Sequence, residues 1–127
     1  PYTIHAGECG DYHNIDLAMS FGAKRIGHGV AAVYSEDTVA HLVRTKTPIE
    51  VCVISNLQTC AIPAGRKHPV KELLDAGVRV TINTDNRTVS GTNLQKEYDL
   101  LLQQYDFTEA DLLKVQEYGR AAAFPTD

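Results

Sequence analysis

Apolar and polar positions along this chain switch repeatedly between a period of two and a period near 3.6. Tyr2 to Ala6 predicts a strand, Tyr12 to Phe21 a short helix ending at Gly22, and Lys24 to Gly27 a second strand. Ser35 offers a helix N-cap, with Glu36 and Asp37 in a first turn where carboxylates suit the helix dipole. That helix should run to about Arg44 with Val39, Leu42 and Val43 on its buried face. Pro48 opens a Val- and Ile-rich third strand through Ile54, and Ser55 to Arg66 reads as a polar loop. Pro69 to Ala76 predicts a helix closed by Gly77, and Arg79 to Thr84 a fourth strand. Thr92-Asn93-Leu94-Gln95 has capping-box spacing and introduces a helix to about Tyr105. Thr108-Glu109-Ala110-Asp111 starts a last helix with Leu112, Leu113 and Val115 as its packing face.

Strands alternating with helices through short loops imply a parallel sheet with helices outside it. Two architectures compete. A doubly wound sheet usually announces a nucleotide through a glycine-rich first turn, and neither GxGxxG nor a Walker motif occurs. The pattern therefore predicts an α/β fold that is half of a (β/α)8 TIM barrel: four parallel β/α units plus a C-terminal helix, residues 1–127. A whole barrel typically needs ~250 residues, and this chain has 127.

Composition narrows the function. The net charge is −4, and lysines and arginines gather into no stretch, which argues against a nucleic-acid surface. No run approaches the ~18 apolar residues of a membrane span, and 43% hydrophobic residues suit an ordinary core. Cys9, Cys52 and Cys60 form neither a CxxC pair nor an even set, so reduced thiols in a cytoplasmic protein are expected. Cys52 reads as a small core residue, while Cys9 adjoins the chemistry described next.

Each strand-like run ends in a residue able to do chemistry: His5, His28, Ser55 and Asp85. The spacing is about one strand–helix unit, and barrel strands point their carboxyl ends into one shared pocket. His5-Ala6-Gly7-Glu8 sets an imidazole and a carboxyl group across a glycine, a weak signal by itself. Arg25-Ile26-Gly27-His28-Gly29 adds an imidazole between glycines that permit close approach. Thr84-Asp85-Asn86 adds a carboxylate beside an amide that can donate or accept. His13, His41 and His68 have no convergent partner in the sequence and read as structural. Ser55 and Asn56 read as shaping the loop after the third strand, since no GxSxG elbow surrounds Ser55.

HAGE, RIGHG, SNLQT and INTDNRTVSGT, in this order and spacing, resemble the C-terminal half of a metal-dependent adenosine deaminase of bacterial type, in the adenosine/AMP deaminase family. The resemblance implies zinc as cofactor, with His5 and Asp85 as metal ligands. It implies Glu8 as the acid that protonates the purine ring nitrogen beside the reacting carbon and so touches substrate. His28 would orient the attacking water and take its proton. Asn86 falls where many relatives carry a second Asp against the five-membered ring of the base. The implied reaction is hydrolysis of adenosine to inosine and ammonia, with adenine, AMP or N6-modified adenine compounds as alternatives. The unrelated HxE…PCxxC zinc deaminases are excluded, since those cysteines are missing.

One departure matters. The family's first-strand His-x-His pair of zinc ligands occurs nowhere in these residues, whereas catalytic zinc usually has three or more protein ligands. The implied partners are a purine nucleoside and the N-terminal half of the barrel, and the chain alone should bind zinc weakly and be inactive. A reading from another class is a non-catalytic half-barrel that self-associates through its open sheet edges.

Overall fold

The computed structural model describes residues 1–126. Four parallel strands lie in the order of the sequence: β1 (Thr3–Ala6), β2 (Arg25–His28), β3 (Ile49–Val51) and β4 (Val80–Ile82). Between and after them come α1 (His13–Ser20), α2 (Glu36–Thr45), α3 (Val53–Gln58), α4 (Val70–Asp75), α5 (Arg87–Ser90), α6 (Leu94–Gln104) and α7 (Glu109–Ala122). This is the expected half of a (β/α)8 barrel.

The pleat sorts the strands into two faces. One row pairs Ile4 with Ile26, Ile26 with Ile49 and Ile49 with Val80. It meets the outer helices in a core that includes Ile15, Leu42, Leu73 and Leu74. Ile26 and Ile49 are completely buried, and each such side chain is worth roughly 1.5–3 kcal/mol. The next row runs His5, Gly27, Glu50, Thr81 and faces what would be the barrel interior. Just below it Thr3 Oγ1 donates to Glu50 Oε2 at 2.7 Å, and Arg25 Nε approaches Glu50 Oε1 to 2.9 Å off the hydrogen-bond direction. Arg25 also reaches α7, where Nη1 donates to the Ala122 carbonyl at 3.1 Å.

Helix ends follow local chemistry. Ser35 Oγ accepts from Thr38 N, as its position before Glu36 implies. Thr108 and Asp111 complete a reciprocal capping box. Such caps contribute about 1 kcal/mol each.

Several expectations are corrected. The third strand stops at Val51, and Val53–Gln58 is helical, so Ser55 does not close a strand but sits in the first turn of α3. The expected polar loop from Ser55 therefore begins only after α3. Asn93, not Thr92, caps α6, its Oδ1 accepting from Lys96 N; Thr92 turns inward to Glu97. A 3-10 turn at Val30–Tyr34 and the short helix α5 were not anticipated. Leu113 is 65% exposed and Val43 37%, so neither belongs to its helix's buried face. Val43 instead edges a groove between α2 and α4.

Candidate active site

The carboxyl ends of the strands carry the site. His5 is the next-to-last residue of β1, and its ring lies over β2 at Gly27. A Cβ on Gly27 would stand 2.4 Å from His5 Cδ2 and 3.1 Å from Nε2, so only glycine leaves room for this imidazole. His28 follows at the end of β2. The pleat would send it to the helix-covered face with its partner Ala6, but its backbone turns left-handed, φ 63°. The imidazole then meets His5 edge-on, ring centroids 5.0 Å apart. Asp85, three residues past β4, also has positive φ, 53°. For non-glycine residues this conformation costs on the order of 1–2 kcal/mol. Such strain, where present, clusters at functional sites.

His5, His28 and Asp85 line one cavity of about 200 Å³, together with Gly27, Glu50, Cys52 and Asn83. Glu8 reaches its rim from the loop after β1. Its Oε2 lies 3.6 Å from His28 Nε2, too long for a hydrogen bond, and its Oε1 is 3.5 Å from the Thr59 hydroxyl. His28 is buried, whereas Asp85 and His5 are open to solvent. Ser55, from α3, donates to Asp85 Oδ2 at 2.9 Å and leaves Oδ1 unengaged among the described contacts.

Asn86 stands at the N-cap of α5 rather than deep in the cavity. Its Oδ1 accepts from Thr88 N at 3.1 Å and Val89 N at 3.0 Å. The cap occupies the acceptor end of the amide and leaves the NH2 end without a partner among the described contacts.

An imidazole nitrogen and a carboxylate oxygen facing one small cavity are donors that zinc accepts. Among the described residues no group of three or more His, Cys, Asp or Glu forms a metal cluster. The fit is thus to part of a coordination sphere, two ligands where catalytic zinc takes three or more. Cys52 lines the cavity but its thiol is pushed up to about 12, chiefly by burial and then by Asp85, which keeps it protonated and inert. Cys9 is exposed and lines none of this cavity.

Three buried residues lie behind the site; sequence reasoning read Asn56 as a loop residue and His68 as structural, and did not single out Glu97. Asn56 is completely buried and contacts His28 at one end of its amide and His68 at the other. His68, expected to be an isolated structural histidine, is instead 3% exposed and part of that chain. Glu97, from α6, is completely buried; its Oε2 accepts from Ile54 N at the start of α3 and its Oε1 from Thr92 Oγ1. Burial raises the Glu97 pKa.

Fold and site together define half of a β/α barrel whose polar chemistry gathers at the strand ends. The whole chain, residues 1–127, matches the adenosine deaminase family, and the chain belongs to that family. It is 43% identical over 124 residues to adenosine deaminase of Haemophilus ducreyi and 41% over 127 residues to that of Streptococcus mutans. These alignments take in 98% and 100% of this chain but 36% of each relative, so the chain spans little more than a third of their length. Among solved structures it resembles adenine deaminase from Arthrobacter aurescens, with a TM-score of 0.91 and 27% identity over 98% of this chain and 38% of that one. It also resembles an amidohydrolase from Burkholderia ambifaria with bound Zn, TM-score 0.88 and 25% identity over 98% and 36%. The N6-mAMP deaminase of Arabidopsis aligns with a TM-score of 0.82 and 26% identity over 98% and 37%.

Proposed function

We propose that this chain is the C-terminal half of the catalytic barrel of an adenosine deaminase that hydrolyses adenosine to inosine and ammonia. The observation carrying this reading is the shared cavity of His5, His28 and Asp85, with Glu8 at its rim. His5 and Asp85 hold zinc jointly with ligands from the N-terminal half. Zinc in such a site lowers the pKa of water to about 7, which makes attack on an aromatic carbon feasible near neutral pH. Glu8 holds a proton toward the purine ring nitrogen beside that carbon, a general-acid contribution typically worth 10²–10⁴-fold. Asn86 donates its NH2 to a ring nitrogen of the five-membered ring.

The N-terminal half of the barrel is the intramolecular partner, and β1 and β4 are the edges it covers. Alone, the chain has two ligands and two unpaired edges, so it binds zinc weakly, turns over no substrate and self-associates. No helix of the described residues is long and apolar enough to cross a membrane, and cysteines kept as free thiols suit a reducing cytoplasm.

A second reading within the family rests on the structural neighbours, which include an adenine deaminase and an N6-mAMP deaminase. Turnover of adenosine, adenine and AMP by the barrel restored to full length separates the two. Adenosine preferred, with a loss of 10²-fold or more in Glu8→Gln, supports the reading. Equal or better turnover of adenine overturns it.

A further inference from the structure

Behind the cavity, three buried side chains run in series. Val70 N donates to His68 Nδ1 at 3.1 Å, His68 Nε2 lies 3.1 Å from Asn56 Oδ1, and Asn56 Nδ2 lies 3.1 Å from His28 Nδ1. His68 is 3% exposed, Asn56 0% and His28 2%, so water replaces none of these partners.

The series has a direction set at its far end. A backbone N–H can only donate, so His68 Nδ1 must be the acceptor, without a proton. Burial brings the pKa of His68 down to about 4, so near neutral pH it carries one ring proton, which must then sit on Nε2. That proton needs an acceptor, which is the Asn56 carbonyl oxygen. Turning the amide over would set its NH2 against an N–H. The amide therefore aims its NH2 at His28 Nδ1, which accepts.

We propose that Asn56 and His68 are positioning residues that lock His28 in the tautomer with its proton on Nε2, so that it faces the site as a hydrogen-bond donor. Nε2 is the atom turned toward Glu8 and the cavity. With Nδ1 engaged and Nε2 protonated, the ring has no free lone pair for a proton from water. This departs from the base role that the family resemblance implies for His28. On the deaminase reading, which this consequence rests on, His28 holds the attacking oxygen and stabilises negative charge developing there. Glu8 already holds its proton for the purine ring, so the water's O–H bond breaks toward Asp85 Oδ1, the cavity oxygen that Ser55 leaves unengaged, with the electron pair left on the water oxygen.

Long-range 1H–15N correlation spectra of the full-length barrel test this directly, because protonated and unprotonated ring nitrogens have well-separated shifts. The expected pattern is a protonated Nε2 and a bare Nδ1 on both His28 and His68. Asn56→Asp supplies a side chain of the same shape that only accepts once ionised, and it should move the His28 proton to Nδ1. A protonated Nδ1 or a tautomer mixture at His28 in the unsubstituted chain overturns the proposal, as does an unchanged tautomer in Asn56→Asp. Should that variant fail to fold, the unsubstituted spectrum decides alone. The expected tautomer without adenosine turnover by the full-length barrel would overturn the deaminase reading and leave this inference standing. Turnover with the opposite tautomer would do the reverse.

Discussion

The Ser55 hydroxyl donates to Asp85 Oδ2 across 2.9 Å, tying the first turn of α3 to the loop that follows β4. One oxygen of the carboxylate is thereby fixed and the other is aimed elsewhere. Partners of this kind orient a metal ligand, and their removal typically costs 10–100-fold in metal affinity. Ser55→Ala in the full-length protein should show such a loss in chelator competition, with thermal stability little changed. Undiminished affinity would mean that Asp85 needs no such partner.

Gly27→Ala should be disruptive for a specific reason. The new methyl would lie 2.4 Å from His5 Cδ2, so the ring must move or the strands must part. Overpacking of this kind costs typically 1–3 kcal/mol. Chemical denaturation should record that loss, and metal titration should record weakened binding as His5 is displaced. A variant with native stability and affinity would show that the imidazole does not lie over β2.

His68 should make the fold acid-sensitive. Its folded pKa of about 4 lies below the ordinary 6.5, so between these values the unfolded chain binds more protons. Stability from this group is full above pH 6.5 and is lost as pH falls toward 4, on the order of 3 kcal/mol in all. Urea unfolding across that range should show the slope, and His68→Gln should flatten it. An equal slope in the variant would assign the acid sensitivity to other groups.

Glu97 should act with the opposite sign. Its folded pKa is raised by burial, so above the ordinary carboxyl value the folded chain holds its proton more tightly, and stability falls as pH rises through the interval. Glu97→Gln keeps an acceptor for Ile54 N and removes the ionisable group. Its melting temperature relative to the parent should improve as pH rises above the ordinary carboxyl value and then level off. A constant difference would remove the linkage.

The legible residues were those whose meaning is local. His5, His28 and Asp85 stand at the ends of apolar runs, and a β/α rhythm by itself brings strand ends together. The run Val51-Cys52-Val53-Ile54 misled because a short apolar stretch reads alike as buried strand or buried helix. The chain turns at Cys52, and α3 carries Ser55 and Asn56 inward. Asn56 read as a loop residue and His68 as an isolated structural histidine because their link to the site arises from contacts 28 and 12 residues away. A histidine set between a polar loop and Pro69 gave only a faint hint. Glu97 was hidden because a carboxylate in the first turn of a helix reads as a solvated one, and its partners Ile54 N and Thr92 show only in the folded chain.

The order of assembly follows from strand neighbours that are also neighbours along the chain. Each strand after β1 finds its docking edge already built, so these four strands can pair in the order in which they are synthesised. The clasp between Arg25 and the Ala122 carbonyl, 97 residues apart, cannot close until α7 has been synthesised. A chain stalled short of α7 would keep the Arg25–Glu50 side of its sheet without that helix.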